Sequence, residues 1–156
     1  VGAAAGLLTV TATASNGGAN DRIRIGIIGP GRRGFGTHVK TLAKLRELGA
    51  KIDMVAVNDV YTVHRDQAVD YIKTETGVTA KTYRDYRDLL ADDSIDAVCI
   101  ATPDHWHARQ TIDALAIGKH VYCEKPMTHT IEESRDVVNE WKSSGLGVRV
   151  GGQPAS

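Results

Sequence analysis

Aromatic residues are scarce in this chain of 156 residues: one Phe, two Trp and five Tyr. Stacking platforms for single-stranded nucleic acid need more of them, clustered. Excess charge of either sign is also missing, because 19 basic residues meet 19 acidic ones. Proteins that hold a nucleic-acid backbone ordinarily carry a basic surplus, so no nucleic-acid partner is expected. Cysteine is limited to Cys99 and Cys123, with no CxxC. Two cysteines cannot build a structural zinc site alone, and both lie in apolar runs that suit buried free thiols. Long hydrophobic stretches are absent too. The apolar part of the leader, about Val1 to Ala12, is too short to span a bilayer, so no membrane span is expected.

What remains is ordinary for a globular protein: 42% hydrophobic and 24% charged residues, enough chain for one domain with a full core. Residues 1–20 stand apart because they carry no charge. Ala12-Thr13-Ala14 matches an A-x-A cleavage site, so the segment reads as the remnant of an export signal. The chain begins with Val, so a basic n-region would lie upstream. The competing reading is a small-residue leader on a cytoplasmic protein.

From Arg22 onward, apolar runs of β-branched residues alternate with helical patterns. Strands are expected over Ile23 to Gly29, Ile52 to Asp59, Ala80 to Tyr83, Ile95 to Thr102, His120 to Glu124 and Leu146 to Gly151. Between them, Phe35, Val39, Leu42, Leu45 and Leu48 fall at helical spacing, with Gly49 as the stop. Thr130-Ile131-Glu132-Glu133 fits a capping box. It opens a helix expected to bury Ile131, Val137, Val138 and Trp141. Strands that are continuously apolar, separated by helices, imply an α/β fold with a doubly wound parallel sheet buried on both faces. Ligands in such sheets sit outside the carboxyl ends of the strands.

The residues at those ends carry chemistry. After the first strand, Gly29-Pro30-Gly31-Arg32-Arg33-Gly34 is a G-x-G-x-x-G that opens a helix. Its glycines allow a tight turn, the approach of a pyrophosphate, and close helix–strand packing. The helix N-terminus favours phosphate, and Arg32 or Arg33 adds charge-assisted contacts. After the second strand, Asp59 stands 25 residues beyond Gly34, where a carboxylate accepts ribose hydroxyls and repels a 2′-phosphate. NAD is therefore expected, with NADP kept open by Arg33 and Arg65. The plainer reading of Asp59 is a turn or helix cap. After the fourth strand come Thr102, Pro103, Asp104, His105, Trp106 and His107. Helix capping by Asp104 with a cofactor-facing histidine fits better than metal ligation, so no metal is expected. Trp106 packs either on the cofactor or over the helix start. After the fifth strand come Glu124, Lys125 and Pro126. A lysine near a nicotinamide can serve in proton transfer. Pro126 fixes the turn, with a cis bond as one option.

These stretches together, "IRIGIIGPGRRG", "VAVNDVY", "CIATPDHWHARQTIDALAIGKHVYCEKP" and "MTHTIEE", closely resemble the glucose-fructose oxidoreductase / inositol dehydrogenase / MocA family over roughly Asp21 to Gly152. The resemblance implies an NAD(P)-dependent oxidoreductase acting on sugars, polyols or related alcohols. It implies a Rossmann domain over 21–152, with Lys125 polarising the reacting hydroxyl. Thr102, Pro103 and His107 would line the cofactor groove, and Glu124 would lie beside the nicotinamide ribose. The family's second domain, which binds substrate and supplies an Asp/His pair, has no counterpart before Ser156. The chain is therefore expected to be a fragment whose residues 153–156, including Gln153, begin the crossover. The leader resembles those of members exported to the periplasm by the twin-arginine route. A homo-oligomer is expected of the full-length protein. Rival readings are a dinucleotide-sensing regulatory or scaffold protein, a redox-neutral glycoside-cleaving enzyme that keeps its NAD, and a Rossmann-like domain for another ligand such as S-adenosylmethionine.

Overall fold

A computed structural model describes residues 22–152. The leader over 1–20 and the crossover over 153–156 lie outside the described residues.

Six strands form one sheet in the order β3-β2-β1-β4-β5-β6, every neighbouring pair parallel. They are β1 (Ile23–Ile28), β2 (Ile52–Asn58), β3 (Lys81–Tyr83), β4 (Ala97–Ile100), β5 (His120–Cys123) and β6 (Val148–Val150). A π-helical segment, Gly34–Val39, runs directly into α1 (Lys40–Glu47). The remaining helices are α2 (Thr62–Thr76), α3 (Tyr86–Leu90), α4 (His107–Ala116) and α5 (Ile131–Ser144). The strand order reverses between β1 and β4. The loops after these two strands part there and leave a crevice, as in any doubly wound sheet.

Alternate residues of each central strand feed opposite faces. Ile27 and Cys99 pack with Val39, Ala43, Met54, Ala68 and Ile72 under α1 and α2. Ile28, Val98 and Ile100 pack with Leu89, Ala114 and Leu115 under α3 and α4. The pairing of β1 with β2 slips by one residue between Ile25 and Gly26. The bulge puts Val55 and Ala56 together on the α3/α4 face. Burial pushes the Cys99 thiol up to about 12, with Cys123 and Glu124 adding to it, and burial likewise raises Cys123 to about 12. Both thiols should resist iodoacetamide in the folded chain at pH 8 and react once urea unfolds it. Prompt alkylation of the native protein would contradict this burial.

Two helical stripes differ from expectation. In the first helix, Leu45 and Leu48 are exposed, whereas Val39 of the same stripe is buried and Ala43, outside it, is buried too. Its opening turn is π-helical, with i→i+5 hydrogen bonds, so the apolar stripe drifts out of the phase that a uniform 3.6-residue period assigns. In α5 the capping box forms as read, with the Thr130 hydroxyl accepting from the Glu133 N–H at 3.1 Å. Ile131, Val138 and Trp141 are nevertheless exposed, and Val137 alone of the four is buried. The helix lies beside α4, and most of its other side chains stay exposed. Trp141 donates its indole N–H to the Leu146 carbonyl at 3.0 Å. No helix among the described residues is long and apolar enough to cross a membrane.

Candidate functional site

β1 runs straight into the glycine loop. Gly29 takes φ +79°, a left-handed turn that a side chain would strain, and its N–H donates to the Asn58 carbonyl at 2.9 Å. A Cβ there would also lie 2.8 Å from the Thr102 nitrogen, so the β1 and β4 loops touch through it. At Gly34 a Cβ would collide with the Gly29 carbonyl oxygen and lie 3.2 Å from the Ala101 Cβ. The helix thus starts pressed against the strand it follows. Above Gly31 an added Cβ would meet, within 4 Å among the described residues, the His64 ring alone, at 3.5 Å, which leaves the backbone approachable.

A cleft of ≈ 570 Å³ crosses the carboxyl ends of β1, β2, β3 and β4. Gly29, Asp59, Thr102, Pro103 and Trp106 line it together with Asn58, Arg84, Tyr86 and Gln110. The Asp59 carboxylate does two things. One oxygen accepts the Tyr61 N–H at 2.9 Å, closing the turn into α2, and the other stands 3.5 Å from His64 Nδ1. The turn reading and the site reading of this residue are therefore compatible. Thr102 donates its hydroxyl to the Gln110 side-chain oxygen at 2.8 Å. Trp106 lines the cleft and packs edge-on against Tyr86, with ring centroids 6.1 Å apart.

Asp104 does not cap the helix as expected. The residue before the short 3₁₀ turn Asp104–Trp106 is Pro103, with no side-chain cap, and Asp104 instead faces His129 at 3.3 Å. Pro103 occupies the capping position and has no side-chain acceptor, while Asp104 already lies inside the turn. His107 does not face the groove either. It is 2% exposed, with Nε2 2.9 Å from the Thr102 carbonyl and Nδ1 2.7 Å from the Pro126 carbonyl. A neutral imidazole has one N–H, so both carbonyls receive a donor together only from the doubly protonated ring.

Glu124, Lys125 and Pro126 lie one strand further over, outside the lining of the cleft. The Lys125–Pro126 peptide is cis. Glu124 is 5% exposed and its carboxylate is occupied within the protein. One oxygen takes His38 Nε2 at 2.7 Å and Arg33 Nε at 3.1 Å, and the other accepts the Lys125 N–H at 3.2 Å. Burial pushes this carboxyl up, but the Arg33 and His38 hydrogen bonds outweigh it, and the net direction is down. Arg33 is thereby drawn toward β5. Arg32 is exposed and has no hydrogen bond or ion pair among the described residues. Lys125 is exposed, and its ammonium has no acidic partner among them.

Sequence reasoning passed over His38, Asn58, His64, Arg84 and Gln110. His38 follows Gly34 by one turn, but its partner Glu124 is 86 residues away, and no local pattern announces such a pair. No group of His, Cys, Asp and Glu among the described residues is arranged to hold a metal.

A family model described as "Oxidoreductase family, NAD-binding Rossmann fold" matches residues 23–152. A glycosyl hydrolase family 109 protein of Shewanella baltica (strain OS155) is 38% identical over 123 residues, covering 76% of this chain and 26% of the relative. The chain thus spans about a quarter of the length of the curated relatives it matches. Among solved structures, myo-inositol 2-dehydrogenase from Lactobacillus plantarum superposes with a TM-score of 0.72 at 30% identity, over 84% of this chain and 36% of that one. The myo-inositol dehydrogenase from Lactobacillus casei, determined in complex with NAD(H) and myo-inositol, gives 0.72 at 27% identity, over 83% and 36%.

Proposed function

This chain belongs to the Gfo/Idh/MocA oxidoreductase family, and from that premise we propose that its Rossmann domain holds NAD for hydride exchange with the carbinol carbon of a sugar, polyol or related alcohol. The observation that carries the reading is one cleft at the switch point that gathers Gly29, Asp59 and Thr102 from three different loops. The residues fit a dinucleotide. Side chains are excluded at Gly29 and Gly34, the backbone is open over Gly31, and a carboxylate ends β2.

When bound, the nicotinamide supplies a hydride donor or acceptor at its C4. The helix start after Gly31 directs backbone N–H groups and partial positive charge at the phosphates, and Arg32 adds a free guanidinium. Asp59 accepts the adenosine ribose hydroxyls with the lone pairs that Tyr61 leaves, and its charge disfavours a 2′-phosphate. Lys125 donates to the reacting hydroxyl and handles its proton. Substrate contacts and the remaining acid–base groups belong to a second domain of the whole protein. The uncharged leader with its Ala12-Thr13-Ala14 site supports export to the periplasm.

Titration of the chain with NADH and NADPH, followed by nicotinamide fluorescence, tests the reading. NADH should saturate and bind more tightly than NADPH, and Asp59→Ala should weaken NADH by about tenfold, the worth of one charge-assisted hydrogen bond. No net turnover of myo-inositol by the chain alone is expected. Failure of both nucleotides to saturate would overturn the proposal.

The identity to family 109 glycosyl hydrolases supports a second reading, in which NAD is kept and used without net redox change. Cofactor that survives purification, with glycoside cleavage by the whole protein and no accumulation of NADH, would favour it over the dehydrogenase.

A further inference from the structure

The loop carrying Lys125 has little of its own to fix it. Lys125 is exposed, and sheet pairing ends at Cys123, with two further bonds, from the Glu124 N–H to the Ile100 carbonyl at 2.9 Å and from the Lys125 N–H to the Glu124 carboxylate at 3.2 Å. Beyond that point the chain turns through the cis Lys125–Pro126 peptide and leaves the sheet. Its next hold is the His107 ring. Nδ1 lies 2.7 Å from the Pro126 carbonyl, while Nε2 lies 2.9 Å from the Thr102 carbonyl. Thr102 ends the β4 loop and lines the cleft. The ring therefore bridges the two loops that follow adjacent strands, one at the cofactor cleft and one bearing the lysine.

Two observations argue that this bridge serves the loops rather than the sheet. The β4–β5 pairing runs in unbroken register from Ala97↔His120 to Ile100↔Cys123 and ends before the residues that the ring touches. Helix α4 is seated by apolar residues, Ala114 and Leu115, further along its length. A buried ring with both nitrogens engaged cannot also touch a ligand in the groove.

We propose that His107 is a positioning residue that sets the Lys125 loop against the Thr102 loop, fixing the nicotinamide edge of the site without contacting the dinucleotide. The inference rests on the dinucleotide reading above. It differs from the groove-lining role implied by family resemblance, because the residue acts through two backbone carbonyls. The adenosine end, built by Asp59 and the glycine loop, lies on the far side of β1 and does not depend on it.

The test compares NADH with ADP-ribose, which keeps the adenosine and pyrophosphate but lacks the nicotinamide. Both are titrated calorimetrically into the chain and its His107→Ala and His107→Gln variants. In His107→Ala, NADH should bind about tenfold more weakly, the loss of one buried hydrogen-bond set, while ADP-ribose shifts by less than about twofold. His107→Gln keeps an amide donor and should recover part of the NADH loss. Retained ADP-ribose binding also certifies the fold of each variant. Equal weakening of both ligands, no change in either, or failure of both variants to fold would overturn the positioning role. If the unmodified chain binds neither ligand, the dinucleotide reading itself falls, and this inference with it.

Discussion

Replacing Gly34 with alanine should cost the chain about 3 kcal/mol of stability, as overpacking against backbone does, and weaken NADH at least about a hundredfold. The added methyl would meet the Gly29 carbonyl oxygen and crowd the Ala101 Cβ at 3.2 Å. A flexible side chain could swing aside, but a carbonyl in the turn of the glycine loop cannot move without shifting the helix start. That shift is what harms binding, because the phosphate-facing N–H groups begin there. Alanine's better helix propensity returns about 1 kcal/mol, too little to offset the collision. Gly36, two residues on, is the internal control. Nothing lies within 4 Å of the point where its methyl would sit, and Gly36→Ala should be neutral or stabilising by up to about 1 kcal/mol. Urea unfolding and NADH titration of both variants decide the matter. A Gly34→Ala chain that matches Gly36→Ala in both would show that the tight contact is not needed.

Glu124→Gln should destabilise the chain by about 2 kcal/mol near neutral pH, below the roughly 3–5 kcal/mol of a fully buried broken pair. The figure is moderated because the Arg33 side chain is 49% exposed and can return to water. The loss comes mainly from His38, 8% exposed, which loses the charge on its partner. The pH dependence gives the sharper test. The folded carboxyl titrates below its ordinary value of 4.5, so its contribution is fully present above that pH and is lost as pH falls through the depressed folded value. The gap between the native chain and Glu124→Gln should therefore be widest at neutral pH and close on acidification below about pH 4.5. A gap that stays constant or widens in acid would rule out the ion pair as its cause.

The legible part of this protein was its order of elements. Continuous apolar strands such as Ile95 to Thr102 admit only a sheet covered on both faces, and the glycine stop read at Gly49 takes positive φ, as do Gly77, Gly118 and Gly145 after the later helices. The capping box at Thr130 formed as read, because its partners are three residues apart. Helix faces were less legible. A π-helical opening shifted the phase of the first helix, and α5, beside α4, kept most of its side chains exposed, and neither is written in a 3.6-residue period.

The site divides along the same line. Gly29, Gly31, Gly34 and Asp59 could be picked out as candidates because they stand just after a strand, which local sequence reveals, and Gly29 and Asp59 line the cleft. The amino-acid sequence by itself determined the doubly wound sheet, the glycine turn, the carboxylate ending β2 and a lysine after β5. Only the tertiary structure decided what those groups touch. Glu124 turned inward to His38 and Arg33, and His107 turned from the groove to clasp the Thr102 and Pro126 carbonyls. The reason is physical: a buried polar group must find a partner. For Glu124 those partners stand 86 and 91 residues back in the chain, and for His107 the Pro126 carbonyl stands 19 residues on, so only the folded sheet brings them within reach.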